Sequence, residues 1–250
     1  MNTRLDEIEK MLEKERSLQI KDLSEYFDVS IETIRRDFIK LEKRGLLQRI
    51  YGGAVARNLS TIEPLYEERT MLNFSEKKKI GQKAVELVND GDSIALDVGT
   101  TTLELAKALV GKRKITAITN SLQIASVLSK DLNIRIILLG GDLRSGELST
   151  SGFLAEDNLD YFIIDKLFLG IGGITDIGIT DYNVVESNLR RHYLKKAKHV
   201  IGLADYSKFG VKAFNHICSL DKLDYLVSDQ QIPSGMIKIL KKHNVQILLA

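Results

Sequence analysis

Polar and glycine residues follow directly after one apolar run of the chain. Asp97 lies near the end of that run, and Gly99, Thr100, Thr101 and Thr102 open a segment with helical periodicity. A glycine lets backbone approach a ligand closely, and the free N–H groups at the start of a helix, together with hydroxyl groups, can hold an anion. The spacing therefore predicts a site for a small polar or anionic molecule.

The same arrangement recurs after four further apolar runs. These turns contain Thr119, Asn120 and Ser121, then Gly140 and Gly141, then Gly170 to Gly173, then Asp205 to Lys208. Each turn, taken singly, is more simply explained as the end of a strand. Because open α/β sheets bind ligands at the carboxyl ends of their strands, five such turns on one rim are better explained by a small polar, phosphorylated ligand. Lys208 would supply an ammonium group.

A second group of residues has the chemistry of nucleic-acid recognition. Residues 33–57 contain seven Lys or Arg side chains and two acidic ones, whereas residues 1–57 as a whole are nearly neutral. Basic side chains neutralise DNA phosphates, and arginine also binds guanine edges. The predicted DNA-binding residues are Ser30, Thr33, Arg35, Arg36, Lys40, Lys43, Arg49, Gly52 and Gly53. A basic helix is often merely solvated, but here the neighbouring elements favour DNA.

Three short helices and a hairpin are predicted to position those basic residues. Helical patterns cover Asn2–Lys14 and Ile20–Phe27, and Ser30 is a suitable N-cap for a third helix. On the third helix an apolar stripe can dock on the first two helices while the basic side chains face outward. Gly45 is predicted to end that helix, and the segment from Leu46 to Gly53 to form a small wing. This order predicts a winged helix-turn-helix over residues 1–57.

The rest of the chain has the alternating pattern of an α/β domain. Residues 58–75 are the predicted linker, which contains Pro64, and residues 76–250 the predicted effector-binding domain. Its predicted strands are Ser93–Val98, Ile115–Thr119, Ile134–Leu139, Leu167–Ile171, His199–Ala204, Tyr225–Val227 and Val245–Leu249. Predicted helices include Lys79–Val88, Thr102–Leu109, Ser121–Leu128, Val185–Lys196 and Gly235–His243. Such alternation predicts a mostly parallel sheet with helices on both faces.

Bulk composition limits the other classes of function. A length of 250 residues suits two domains, and 44% hydrophobic with 28% charged residues is ordinary globular composition. The net charge of +2 does not by itself predict a nucleic-acid partner. One cysteine, Cys218, excludes an internal disulfide framework and fits a reducing compartment. No signal segment and no apolar run of about 18 residues is visible, so we expect a cytoplasmic protein.

No metal or cofactor site is predicted. The four histidines show no ligand spacing with one another or with Cys218; they are His192, His199, His216 and His243. The glycines from Gly170 to Gly173 lack the spacing of a dinucleotide fingerprint. We therefore expect the protein to work without either group.

The motifs of both parts resemble those of the DeoR family of bacterial transcriptional regulators. In the first part they are Val29-Ser30, Thr33 to Asp37, Leu41-Glu42, Gly45, Arg49 and Gly52 to Ala54. In the second part they are Asp97 to Thr101, Thr119 to Ser121, Leu139 to Gly141, Ser149 to Gly152, Glu186 with Arg190-Arg191, and Asp205 with Ser207 to Gly210. The resemblance covers roughly residues 4–249. Phe38, Tyr51 and Arg190 stand where the family usually has Leu, often His and usually Lys, respectively.

The resemblance implies a sensor fold similar to ribose-5-phosphate isomerase, glucosamine-6-phosphate deaminase and CoA transferases. It also implies a phosphorylated sugar or glycolytic intermediate as effector. By position, the segment from Gly99 to Thr102 would bind phosphate, Asp97 and Asn120 sugar hydroxyls, and Lys208 an anionic or carbonyl oxygen. Glu186 completes the predicted effector-binding set. The implied protein is a DNA-binding regulator, most often a repressor, and we expect it to act as a symmetric oligomer on repeated half-sites.

Two other functions remain open at the level of sequence. One is a sugar-phosphate isomerase or deaminase with an added DNA-binding domain, in which Asp97, Asp181 or Glu186 would act as general base. The other is an adaptor that binds protein through the winged helix, which the basic third helix disfavours. Nothing in the sequence requires turnover, so we expect a regulator rather than an enzyme.

Overall fold

The computed structural model describes residues 4–15, 17–44, 46–50, 52–56, 63–111 and 114–250. Its first unit consists of α1 (Arg4–Glu15), β1 (Ser17–Gln19), α2 (Ile20–Tyr26), α3 (Ile31–Lys43), β2 (Leu47–Ile50) and β3 (Gly53–Ala56). The strands form an antiparallel sheet in the order β1-β3-β2. The predicted helices and wing are present, whereas β1 was not predicted. Asn2, Gly45 and Tyr51 lie outside the described residues.

Helix α3 begins and packs as its sequence requires. The Ser30 side chain accepts a hydrogen bond from the Thr33 N–H at 3.2 Å, which confirms the predicted N-cap. Ile34, Phe38 and Leu41 are completely buried against the other two helices and β2. The opposite side of α3 is therefore left facing solvent.

The two wing glycines are required by the fold. A Cβ atom on Gly53 would lie 2.3 Å from the carbonyl oxygen of Leu18 in β1, and Gly52 has a φ of +80°, which side-chain-bearing residues rarely adopt. The close pairing of β1 with β3 therefore explains Gly53, and the positive φ explains Gly52, without a DNA contact.

The second unit begins with α4 (Tyr66–Met71) and α5 (Phe74–Ala84), followed by a 3-10 turn (Val85–Leu87). The next elements are β4 (Ser93–Leu96), α6 (Thr100–Leu109), β5 (Ile115–Thr119), α7 (Leu122–Leu128), β6 (Ile134–Leu138), β7 (Asp142–Arg144), β8 (Ser149–Ser151) and α8 (Phe153–Leu159). Then come β9 (Ile164–Gly170), β10 (Gly173–Thr175), β11 (Gly178–Asp181), α9 (Val184–Lys196), β12 (Ala197–Ala204), a 3-10 turn (Tyr206–Lys208), β13 (Asn215–Cys218) and a 3-10 turn (Leu220–Lys222). The last elements are β14 (Tyr225–Ser228), α10 (Ser234–Lys242) and β15 (Gln246–Leu249).

Seven parallel strands form the main sheet, in the order β15-β14-β12-β9-β4-β5-β6. They correspond to the seven predicted strands, so the predicted parallel α/β architecture is confirmed. Two apolar cores lie on the two faces of the sheet. Residues of α5, α6 and α7 belong to one core, and residues of α8, α9 and α10 to the other. The short antiparallel strands β7 and β8, and β10, β11 and β13, were not predicted.

The strand order has a reversal point beside β4. The chain runs outward through β5 and β6, then returns to pair β9 against the other side of β4. Connections on either side of β4 therefore diverge at the carboxyl ends of β4 and β9. Open α/β sheets bind ligands at this position, which we call the crevice. Within the described residues, no helix is long and apolar enough to cross a membrane.

Candidate functional site

Asp97 forms the charged floor of the crevice. Its Oδ2 accepts hydrogen bonds from Arg190 Nε at 2.7 Å and from the Gly170 N–H at 3.2 Å. Arg190 also pairs with Asp181. Burial raises the pKa of Asp97 to about 6, although Arg190 opposes the shift. One guanidinium shared among several carboxylates does not fully offset the cost of burying them.

The threonines at the start of α6 differ in whether the fold uses their hydroxyl groups. The Thr102 hydroxyl donates to the Gly99 carbonyl at 2.9 Å and is completely buried. The hydroxyls of Thr100 and Thr101 form no hydrogen bond within the described residues. Because the first N–H groups of a helix also lack intrahelical partners, the start of α6 keeps several donors for a ligand.

Most side chains of the turn after β5 form hydrogen bonds that stabilise the fold. The Thr119 hydroxyl donates to the Leu96 carbonyl at 2.7 Å and accepts from the Ser121 N–H, while Ser121 caps α7. Asn120 differs, because its Oδ1 is buried without a hydrogen-bond partner in the part of the chain that is described. A buried unpaired acceptor is costly, so Asn120 is the member of this turn best suited to a ligand.

The two glycines after β6 are not equivalent. A Cβ atom on Gly141 would lie 2.3 Å from the Ser151 carbonyl oxygen, and the φ of Gly141 is +136°. The hairpin of β7 and β8 therefore requires this glycine. A Cβ atom on Gly140 would meet nothing within 4 Å, so Gly140 borders open space.

The turn after β12 carries Lys208 into the crevice. Asp205 Oδ1 accepts from the Ser207 hydroxyl at 2.5 Å and from Asn73 Nδ2 at 2.9 Å, while Asp205 Oδ2 is buried without a partner among the described residues. The Lys208 ammonium group has no hydrogen bond or ion pair with any of those residues. Burial lowers its pKa, and the nearby carboxylates of Asp205, Asp181 and Glu63 oppose that shift.

Glu186 lies in a chain of charges that sequence reasoning largely missed. Its carboxylate accepts from the Ser149 hydroxyl at 2.7 Å and from Arg144 at 3.0 Å. Burial favours a higher pKa for Glu186, but Arg190, Ser149 and Arg144 outweigh it and lower the pKa. Both carboxylate oxygens of Glu186 thus have hydrogen-bond partners within the protein.

Arg144 extends this chain of charges to the segment before α4. Its guanidinium also donates to Glu63 at 2.7 Å, and Glu63 pairs with Arg69 at 3.2 Å. Arg69 in turn pairs with Glu147. No local pattern marked these residues, since the Glu63–Arg144 contact joins positions 81 apart in sequence.

The basic residues of α3 lie together on its exposed side. Arg35, Arg36, Lys40 and Lys43 are all exposed. Arg35 and Lys40 have only loose pairs with Glu32 and Asp37, both at 3.5 Å, and Arg36 has no ion pair within the described residues. This surface is electropositive and unobstructed in the described part of the chain.

Arg49, the predicted wing contact, is turned toward the second unit. Its Nε pairs with Glu42 at 2.6 Å, and its guanidinium donates to the Tyr206 hydroxyl at 3.4 Å. Tyr206 belongs to the same turn as Lys208. The structure therefore brings the wing and the crevice turn into contact.

Comparison with known proteins assigns both units. Residues 4–59 match the DeoR-like helix-turn-helix domain, and residues 72–230 match the DeoR C terminal sensor domain. The chain is 33% identical to the putative aga operon transcriptional repressor of Escherichia coli O157:H7, over 98% of this chain and 93% of that protein. It is also 33% identical to the glycerol-3-phosphate regulon repressor of Escherichia coli strain K12, over 92% and 91%.

Among solved structures, ribose 5-phosphate isomerase A from Methanocaldococcus jannaschii matches 56% of each chain, with 20% identity and a TM-score of 0.42. This partial likeness carries no functional inference. The full-length relatives are transcriptional regulators rather than enzymes, which favours the regulator over the isomerase or deaminase alternative. With matches to the DeoR-like helix-turn-helix domain and to the DeoR C terminal sensor domain, and with full-length relatives that are regulators, this protein is a member of the DeoR family of transcriptional regulators.

Proposed function

We propose that this protein represses a sugar-metabolism operon and that a phosphorylated sugar, bound in the crevice between β4 and β9, controls its affinity for DNA. The observation that carries the proposal is the pairing of an exposed basic α3 with a crevice that contains unpaired polar groups. The names of the relatives, which include repressors of the aga operon and of the glycerol-3-phosphate regulon, support the same class of target genes.

On the DNA side, α3 would enter the major groove with Arg36 toward base edges and Lys40 and Lys43 toward phosphates. Ser30 and Thr33 would act near the start of the helix, and Arg35 beside Arg36. Arg49, Gly52 and Gly53 would lie near the DNA backbone only if Arg49 leaves its present contact with Tyr206. A single module reads few base pairs, so we propose a symmetric oligomer on repeated half-sites. Binding to chromosomal DNA would occur in the cytoplasm.

On the effector side, the start of α6 with Thr100 and Thr101 would hold an anionic group. Asp97 and Asn120 would contact sugar hydroxyls, and Lys208 an anionic or carbonyl oxygen. The backbone of Gly99 and Gly140 would border the ligand. Thr102, Thr119, Ser121, Gly141 and Glu186 would support this site through the fold contacts described above.

The isomerase alternative gains nothing from the arrangement of carboxylates. Asp97 and Asp181 pair with Arg190, and Glu186 hydrogen-bonds to Arg144 and Ser149. Each of these carboxylates is paired with an arginine, so each has a structural role that does not require turnover.

An electrophoretic mobility-shift titration on the DNA upstream of its own gene tests the proposal. We expect specific retardation at moderate salt and its change by at least one member of a panel of pentose, hexose and triose phosphates. Specific retardation that no sugar phosphate alters would contradict the proposed effector class. Absence of specific retardation would contradict the proposed regulation through an operator beside its own gene.

A further inference from the structure

Glu63 is not part of the main sheet, but its negatively charged carboxylate lies within the sensor unit. Its carboxylate accepts a hydrogen bond from Arg144 at 2.7 Å and pairs with Arg69 at 3.2 Å. The Glu63 side chain is only 11% exposed. It therefore occupies a partly desolvated position between two guanidinium groups, where charge-assisted bonds are strong.

That position borders the crevice. Arg144 also bonds to Glu186, which faces Arg190 at 3.9 Å. The charge of Glu63 acts on Lys208, where it opposes the lowering of the pKa, and on Asp181, whose pKa it helps burial to raise. Glu63 thus lies close to the unpaired ammonium group and to the charged floor of the crevice.

A phosphate monoester offers these arginines the same chemistry as a carboxylate. Both groups present two oxygens to a guanidinium, but phosphate carries more charge and one more acceptor oxygen. Glu63 is tethered to the chain, so it competes at a high local concentration. An arriving phosphate must therefore displace it or bind elsewhere.

Glu63 also belongs to the segment that joins the two units. It precedes α4, which is held to the sensor unit by further contacts. Tyr66 donates to Gln123 at 2.9 Å, and Lys77 donates to the carbonyls of Arg69 and Leu72. Release of Glu63 would remove the first of these attachments and change how the chain leaves the sensor unit.

We propose that the Glu63 carboxylate is an internal occupant of an anion subsite formed by Arg69 and Arg144, and that an anionic group that enters this subsite displaces it and loosens the segment before α4. This inference rests on the proposed function, because it requires an anionic effector in the crevice. A purely structural clamp would instead hold Glu63 in place whatever the crevice contains.

The test uses the full chain and inorganic phosphate as the probe. Glu63→Gln keeps the size of the side chain and removes its charge, and Glu67→Gln is the matched control, since Glu67 is exposed and has no ion pair within the described residues. By calorimetric titration we expect phosphate to bind Glu63→Gln at least about fivefold more tightly than it binds the wild type, because an internal competitor with charge-assisted bonds has been removed. Glu67→Gln should bind as the wild type does.

Hydrogen exchange gives an independent measurement on the wild-type chain. Saturating phosphate should speed amide exchange in residues 63–71, whereas in Glu63→Gln exchange there should already be fast and change little. Unchanged or weaker phosphate affinity in a folded Glu63→Gln would overturn the proposal, and so would slower exchange in the wild type with phosphate. Should Glu63→Gln fail to fold, Glu63→Asp, whose carboxylate is withdrawn by one methylene, should show a smaller gain in phosphate affinity, and no gain would count against displacement.

A mobility-shift titration separates this inference from the proposed function. If sugar phosphates release DNA from the wild type and from Glu63→Gln at the same concentration, displacement of Glu63 is wrong and the effector class stands. If phosphate binds Glu63→Gln more tightly but no sugar phosphate alters DNA binding by either protein, the anion subsite stands and the proposed effector class is wrong.

Discussion

Replacing Asp97 by asparagine should remove a pH dependence of stability that this one buried carboxyl group creates. Arg190 lies among three carboxylates, those of Asp97, Asp181 and Glu186, and a single guanidinium does not offset the burial of all three. The pKa of Asp97 is therefore raised from 3.8 to about 6. This difference corresponds to ~3 kcal/mol, because one pH unit is worth about 1.4 kcal/mol.

The sign of the effect follows from proton binding. Between about pH 4 and about pH 6 the unfolded chain has lost this proton while the folded chain keeps it, so the free energy of unfolding falls as the pH rises. The contribution is therefore present at low pH and lost above about pH 6. Asparagine does not titrate, yet its side-chain oxygen can still accept from Arg190, so Asp97→Asn should lack this component and remain folded.

Urea unfolding followed by circular dichroism, repeated across this pH range, measures the effect. Subtracting the Asp97→Asn curve from the wild-type curve cancels the other titrating groups, and the difference should change by ~3 kcal/mol across the range. Asp157→Asn is a suitable control, because Asp157 is exposed and has no ion pair among the described residues; it should follow the wild-type pH curve. A wild-type minus Asp97→Asn difference that stays constant with pH would refute the reasoning about shared charge.

Three further substitutions test other parts of the structure. Arg36→Ala should weaken operator binding by ~1–3 kcal/mol if its guanidinium reads a base edge; an unchanged footprint and affinity would reject that role. Lys208→Met should raise the sugar-phosphate concentration needed to affect DNA binding about tenfold or more, since a hydrogen bond to a charged group is lost; an equal response in a mobility-shift titration would argue against a ligand contact. Gly141→Ala should lower the free energy of unfolding by at least ~1–3 kcal/mol, because its φ of +136° and the Ser151 carbonyl leave no room for a Cβ atom, whereas Gly140→Ala should change it by less than about 0.5 kcal/mol. Equal urea midpoints for the two glycine variants would contradict this.

The main elements were predictable because their sequence patterns are local. Each of the seven sheet strands contains at least three apolar residues within four to eight positions, and burial on both faces favours such a pattern in the central strands. The pairs β7–β8 and β10–β11 were missed because strands of three or four residues have too few positions to show a period. The N-cap at Ser30 was predictable because its partner lies three residues away.

The location of the rim was predictable from the sequence, but the individual roles of its residues were not. Thr119 and Asn120 are neighbours in sequence, yet the Thr119 hydroxyl is used by Leu96 and Ser121 while the Asn120 oxygen is left unpaired. Gly140 and Gly141 differ in backbone conformation and in what lies opposite their missing Cβ atoms. These distinctions arise from tertiary contacts, as does the pairing of Arg144 with Glu63, so a pattern in one sequence does not contain them.

The contact of the wing with the second unit and the attachment of the linker to that unit differ in how much free energy they could contribute to an effector response. To move a two-state equilibrium from almost entirely one arrangement to almost entirely the other, a ligand must discriminate by about 5.5 kcal/mol. The hydrogen bond from the Arg49 guanidinium to Tyr206 is long, at 3.4 Å, so it contributes less than the ~1.5–3 kcal/mol that is usual for a hydrogen bond to a charged group. Glu63 accepts a hydrogen bond from Arg144 at 2.7 Å and has an ion pair with Arg69, and a hydrogen bond to a charged group contributes about 1.5–3 kcal/mol. The two Arg144 bonds of a symmetric dimer would together approach the required discrimination. The attachment of the linker, rather than the contact of the wing, is therefore the larger source of coupling free energy that an anionic ligand could use.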